Sequence, residues 1–255
     1  MYKFRRYLYA LVAIAMITLT IPLQAKAELI NIQFADQNST AFSGAAKIGS
    51  SGDFWNQAEG TDGTVNPLYY SNSTPSSPKP SGAKVDFSGD TTTQVWDGSG
   101  FIGSHPPVGP YENLMTGFIA TNPDFLGSYQ MTFSGLKGSA KYDLYVYTQG
   151  NTIGNNLKVE ITGGVNSSGQ TTTPSDPTKS TFIKNQNYLV IPVTTTSAGG
   201  FILNYSAISL SDGSGEGIIN GMQLSSAVPE PSTLILIGLG GLLLAFRLRR
   251  SPVAI

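Results

Sequence analysis

Tyr129-Gln130-Met131-Thr132-Phe133 and, shortly after it, Tyr142-Asp143-Leu144-Tyr145-Val146-Tyr147 decide the fold. In the first stretch apolar side chains alternate with polar ones, so one face belongs to a core and the other to water. The second is apolar on both faces after its first pair, which marks a central strand or one whose outward tyrosines help to form a binding surface. Apolar runs of similar length recur to either side, separated by Gly, Pro or Asn turns, and no long stretch of the middle has helical periodicity. This pattern predicts strands at residues 29–34, 84–87, 94–96, 129–133, 142–148, 157–162, 187–193, 200–205 and 217–224. Residues 61–81, with Pro67, Pro75, Pro78 and Pro80, and residues 163–180, rich in Thr and Ser, read as loops. The fold class is all-β, a single β-sandwich or jelly roll.

The two ends of the chain have a different character. Lys3, Arg5 and Arg6 precede an apolar run over residues 8–23, and Ala25-Lys26-Ala27 supplies the small residues of a signal-peptidase site. Pro22 breaks a helix just before that site, so residues 1–27 read as a signal peptide cleaved after Ala27. At the other end Val228-Pro229-Glu230-Pro231-Ser232 leads into an uncharged apolar stretch closed by Arg247, Arg249 and Arg250. An apolar run with a basic stop is the pattern of a transmembrane helix whose cationic end stays in the cytoplasm. The helix is assigned to residues 233–248 and reaches about 24 Å, short of a hydrocarbon core of about 30 Å. An anchor so marginal suits temporary attachment. Residues 28–227 remain as the exported β-sandwich domain, long enough for one substantial core.

Pro229-Glu230-Pro231, the Gly- and Leu-rich run over residues 234–246, and the arginines at 247, 249 and 250 stand in the order of the PEP-CTERM sorting signal, which the last tenth of the chain resembles. That resemblance implies recognition by an exosortase, a membrane enzyme that cleaves near the Pro-Glu-Pro and releases the protein toward the cell surface. It therefore implies an exported protein, anchored in the inner membrane before processing and located at the cell surface or outside the cell afterwards. The alternative reading of the same residues is an ordinary single-pass tail anchor.

Charge and composition narrow the function. Residues 28–227 hold fifteen acids against eight lysines and no arginine, a formal charge near −7. Nucleic-acid binding by phosphate neutralisation needs a basic face, so it is not expected, and anionic glycans are disfavoured for the same reason. The chain has no cysteine, which excludes disulfides, thiol catalysis, Cys-based zinc sites and iron–sulfur clusters. Its one histidine, His105, stands before Pro106 and Pro107 and reads as a solvated loop residue. No Gly-x-Ser-x-Gly elbow accompanies it.

A second resemblance runs through the body. The opening Ile30-Asn31-Ile32-Gln33-Phe34, then Phe54-Trp55-Asn56-Gln57, the stretch from Leu136 to Tyr147, and the closing Gly217-Ile218-Ile219-Asn220-Gly221-Met222-Gln223-Leu224 are similar in order to galactose-binding-like or malectin-like jelly rolls. The resemblance implies an opening strand paired near the closing strand. It also implies a structural calcium bridging the two, for which Asp36, Asp212 and Glu216 are the candidate ligands. Calcium accepts such hard oxygen donors in irregular geometry, although a solvated turn would use the same residues. No other cofactor is expected.

Trp55, Trp96, Tyr69, Tyr70 and Tyr111 are aromatics in or beside loops, and sugar rings stack their C–H faces on such surfaces. Asn56, Gln57, Asp97 and Asn113 are near enough in sequence to supply hydrogen bonds to hydroxyls. The competing reading makes the two tryptophans caps on the sandwich core. Glycoside hydrolysis needs only two suitably spaced carboxylates, but no acidic pair stands in a distinctive motif. The expectation is a non-catalytic protein of the cell surface or extracellular matrix associated with neutral exopolysaccharide. A purely structural matrix protein is the alternative and a glycosidase the third choice.

Overall fold

A computed structural model describes residues 27–35, 41–88, 111–121, 128–149, 156–173, 181–208 and 217–226. All but Ala27 lie within one compact unit, Glu28–Ala227. The signal peptide, the residue 94–96 strand, His105, and the tail with its membrane helix lie outside the described residues. No helix among the described residues is long and apolar enough to cross a membrane.

Two sheets form the unit. The first has the order β10 (Tyr188–Thr194), β7 (Lys141–Tyr147), β13 (Gly221–Ser226), β1 (Leu29–Ala35) and β2 (Asn56–Glu59). The second has the order β3 (Gly63–Val65), β4 (Lys84–Ser88), β6 (Tyr129–Ser134), β11 (Phe201–Ala207), β8 (Leu157–Thr162) and β9 (Ser168–Thr171). β5 (Ile119–Thr121) and β12 (Gly217–Ile219) make a separate antiparallel pair. The central position of β7 agrees with its apolar pattern, and β6 shows the alternation read from its sequence, with Met131 and Phe133 buried and Gln130 exposed.

The opening and closing strands pair antiparallel, Leu29 opposite Ser225 and Gln33 opposite Gly221. β1 also pairs with β2, in parallel. Ile30, Ile32, Phe34, Leu144, Val146, Leu189 and Ile191 from the first sheet share one core with Val85, Met131, Phe133, Val159, Ile161 and Leu203 from the second. Each such side chain contributes about 1.5–3 kcal/mol by leaving water, so this core replaces the disulfides the chain lacks. Both sides of the sandwich are closed. Residues 60–62 carry the chain from the edge strand β2 to the edge strand β3. On the far side Gln170 Nε2 donates to the Val190 carbonyl at 2.7 Å and Ser168 Oγ to that of Pro192 at 3.3 Å. These bonds cover strand edges that would otherwise invite pairing with another chain.

A third layer covers the outer face of the first sheet. Tyr147 and Tyr188, which point away from the main core, pack with Phe42, Trp55 and with Leu114 and Met115 of the short helix α1 (Glu112–Thr116). Beside this apolar cluster the same face carries buried amides. Gln223 Nε2 donates to Asn31 Oδ1 at 2.9 Å, the Tyr147 hydroxyl donates to Gln223 Oε1, and Asn31 Nδ2 donates to the Phe54 carbonyl at 3.0 Å. Gln33 accepts from the Phe42 amide and donates to the Asn113 carbonyl. The amides thus bind the covering loop and helix to the sheet and leave few polar groups unpaired, which is the condition for burying them.

Three expectations need correction. The strand at residues 217–224 is broken at Asn220, whose Nδ2 donates to the carbonyls of Met115 (2.9 Å) and Gly117 (3.1 Å) while its Oδ1 accepts from the Gln149 amide. These bonds hold the chain where it passes from β12 to β13. The predicted loop at residues 61–81 contains β3 and several backbone bridges, and that at 163–180 contains β9. β2 and β5 were not legible as strands, since Asn56-Gln57-Ala58-Glu59 is mostly polar and Ile119-Ala120-Thr121 is only three residues long.

Candidate functional site at Tyr69 and Tyr70

The five aromatics assigned to sugar binding do not form one platform. Trp55 is 2% exposed, donates its indole N–H to the Gly44 carbonyl at 3.0 Å, and meets Phe42 edge-on with ring centroids 5.2 Å apart. Both its faces and its polar handle are occupied inside the protein, so Trp55 is a core residue and not a ligand platform. Tyr111 is half-buried against Phe182, 4.3 Å between centroids. Trp96 and Asp97 lie outside the described residues. So do Asp36, Asp212 and Glu216, the candidate calcium ligands. Among the described residues no three His, Cys, Asp or Glu side chains stand close enough to hold a metal ion.

Tyr69 and Tyr70 remain, and the backbone around them is firmly held. Leu68 is fully buried in the main core, and its N–H donates to the Ala83 carbonyl at 2.8 Å. Asn56 binds Tyr69 from both sides: its Nδ2 donates to the Tyr69 carbonyl at 2.9 Å and its Oδ1 accepts from the Tyr69 amide at 2.8 Å. The Tyr70 amide donates to the Lys79 carbonyl, and the Ser71 amide to that of Leu29. Asn56 is 3% exposed, so it serves as a clamp on the loop and not as a donor to a ligand. Asn113 is exposed, with its backbone carbonyl bound by Gln33 as above.

From this fixed backbone the two tyrosines line different clefts. Tyr69 lines a cleft of about 460 Å³ with Gln57, Glu59, Thr64, Asn66 and Phe87. Its ring meets Phe54 edge-on at 6.0 Å. The Thr64 hydroxyl donates to Asp86 Oδ1 at 2.7 Å, and Lys84 pairs with Asp86 at 2.7 Å. The Lys84 and Thr64 bonds hold the Asp86 carboxyl below its ordinary range. Among the described residues the cleft thus combines the rings of Tyr69 and Phe87 with the amides of Gln57 and Asn66, the Thr64 hydroxyl and the Glu59 carboxylate.

Tyr70 lines a second cleft of about 300 Å³ with Glu28, Ser81, Lys137 and Tyr142. Burial raises the Tyr70 phenol above its ordinary pKa, and the neighbouring Glu28 carboxylate raises it further by charge and by hydrogen bonding. Tyr142 is raised for the same leading reason, partly offset by the Lys137 amide, which donates to its oxygen at 3.3 Å. Both phenols are therefore neutral at neutral pH. Tyr69, Tyr70 and Gln57 were named from the sequence as candidates, whereas Glu59, Thr64, Glu28, Lys137 and Tyr142 were not. The last three are distant in sequence and meet only through the β1–β13–β7 pairing and the turn after β6.

The described residues thus define a two-sheet β-sandwich with a covering layer on one sheet and two clefts at one loop. Residues 227–250 match the PEP-CTERM protein-sorting motif, so the chain is an exported protein that is anchored in the membrane before processing. No curated protein sequence matches the chain. Among solved structures it is similar to the extracellular domain of ANXUR1 from Arabidopsis thaliana, at 10% identity over 79% of this chain and 50% of that one, with a TM-score of 0.43. A plant receptor-like kinase, FER, matches at 11% identity over 80% of this chain and 43% of that one, with a TM-score of 0.39. The family 32 CBM from C. perfringens NanJ, solved in complex with galactose, matches at 16% identity over 57% of this chain and 94% of that one, with a TM-score of 0.29. The chain spans half or less of the two plant proteins' length.

Proposed function

We propose that this protein is a non-catalytic component of the cell surface or extracellular matrix that binds neutral polysaccharide through the Tyr69 cleft. The observation that carries the reading is the Asn56 clamp, which fixes the Tyr69 backbone beside Gln57, Thr64 and Asn66 before any ligand arrives. A preset aromatic surface with a few fixed polar groups is what a sugar requires, and presetting it reduces the ordering cost of binding. The excess of acids in the body disfavours an anionic glycan. Among the described residues each cleft is lined by one carboxylate, Glu59 in one and Glu28 in the other, whereas glycoside hydrolysis uses two.

The second reading is a purely structural matrix protein, favoured by the burial of Trp55 and the packing of Tyr111 on Phe182. A glycan array probed with the exported protein separates the two. Under the proposal, neutral polysaccharides are retained, acidic ones are not, and Tyr69→Ala weakens retention about tenfold, or about 1.4 kcal/mol. Tyr70→Ala, in the other cleft, leaves it unchanged. No retention of any glycan supports the structural reading, and release of free sugar supports a glycosidase.

A further inference from the structure

The β1–β13 register brings the two ends of the exported body together. Glu28 is the residue that follows the expected leader cleavage after Ala27. Its amide N–H donates to Ser226 Oγ at 2.9 Å, and its carbonyl accepts from the Ser226 amide at 2.9 Å. Ser226 also lies opposite Tyr142 of β7. β13 thus ends between two partner strands, and the sorting motif starts at the very next residue, 227.

This leaves almost no slack. Two residues, Ala227 and Val228, separate Ser226 from Pro229, and the three Cα steps between them reach about 11 Å fully extended. A single helix with its side chains is about 10–12 Å across, so the walls of a membrane enzyme enclosing Pro229-Glu230-Pro231 would occupy the space where the strand end stands. Terminal strand pairs open at low free-energy cost, and opening Ser225 and Ser226 would add two residues of free chain.

We propose that the Glu28–Ser226 pairing is a latch that gates tail removal: the enzyme that reads the sorting motif engages it fully only when the end of β13 has peeled away from β1 and β7. Removal itself breaks one backbone amide with uptake of one water, leaving a carboxylate on the body and an ammonium on the tail. The latch controls access to that bond and takes no part in the chemistry. The proposal rests on the sorting motif and is independent of the glycan reading.

The test is pulse–chase in the native host, with tail loss followed by intact mass. In one variant six Gly/Ser residues are inserted between Ser226 and Ala227, leaving residues 227–250 intact. In another, Ser226→Pro removes both the N–H that binds the Glu28 carbonyl and the Oγ that accepts from the Glu28 amide. The spacer variant is expected to lose its tail several-fold faster than the natural chain. Ser226→Pro is expected to do so at least about fivefold faster, the change in open population that one net hydrogen bond commands, since it removes two such bonds. Thermal unfolding of the spacer protein at the natural temperature shows that its body is intact. A spacer variant processed at the natural rate or more slowly overturns the proposal, whatever Ser226→Pro does.

Discussion

Trp55→Ala distinguishes a core residue from a binding residue by magnitude. The ring is 2% exposed and packs on Phe42 at 5.2 Å and Tyr147 at 6.4 Å, and its N–H binds the Gly44 carbonyl. Truncating a buried Trp to Ala costs about 3–5 kcal/mol, combining lost transfer energy with an unfilled cavity. The stranded Gly44 carbonyl places the expected loss toward the upper end of that range. With a urea dependence on the order of 2 kcal/mol per molar, the unfolding midpoint falls by about 2 M while the slope is unchanged. The assay is urea denaturation of the exported protein followed by far-ultraviolet circular dichroism, with glycan retention measured on the folded fraction. Stability should fall by that amount and retention should hold. A stability change within about 0.5 kcal/mol, the range of surface substitutions, together with lost retention would refute the assignment of Trp55 to the core.

Other perturbations test the frame around the site. Asn220→Ala strands the Gln149 amide and the carbonyls of Met115 and Gly117, and should cost on the order of 3 kcal/mol in urea unfolding. Gly199→Ala should cost at least about 2 kcal/mol by thermal denaturation, because Gly199 has φ +79° and an added Cβ would stand 1.9 Å from the Leu136 carbonyl oxygen. Burial raises the Tyr147 and Tyr205 phenols above their ordinary value of 10.0, so the folded state favours their neutral form. Their contribution to stability is fully present below about pH 10 and is lost as the pH rises beyond it, so alkaline unfolding should coincide with their appearance in the tyrosinate absorbance band. A smooth titration of all tyrosines without unfolding would contradict this.

The sequence showed the sandwich because burial on alternate faces is a local signal: β6, β7, β8 and β11 could each be read from their own residues. It showed the sorting tail for the same reason, since Pro-Glu-Pro, an apolar run and an arginine cluster are contiguous. The outer face of the first sheet was harder. Asn31, Gln33 and Gln223 look like solvent-facing positions on their strands, and only the loop at residues 41–55 and helix α1, folded over them, make that face an interior. Trp55, open in sequence to both the cap and the platform readings, is a core residue in space. β2 and β3 were missed because a short edge strand draws its order from its neighbours and needs little apolar pattern of its own. The clefts were legible only in part. Tyr69 and Gln57 are close in sequence, whereas Glu28, Lys137 and Tyr142 are brought together by pairing the first strand with the last.

Sugar binding at the Tyr69 cleft is tested by a two-dimensional NMR titration of the isotope-labelled exported protein with a neutral oligosaccharide. Shifts are expected to concentrate at the Gln57 side-chain amide and the backbone amides of Thr64 and Tyr69, with Trp55 and the Glu28–Tyr70–Tyr142 cleft unmoved. Shifts centred on that second cleft or elsewhere, or no shift with any neutral sugar, would contradict it.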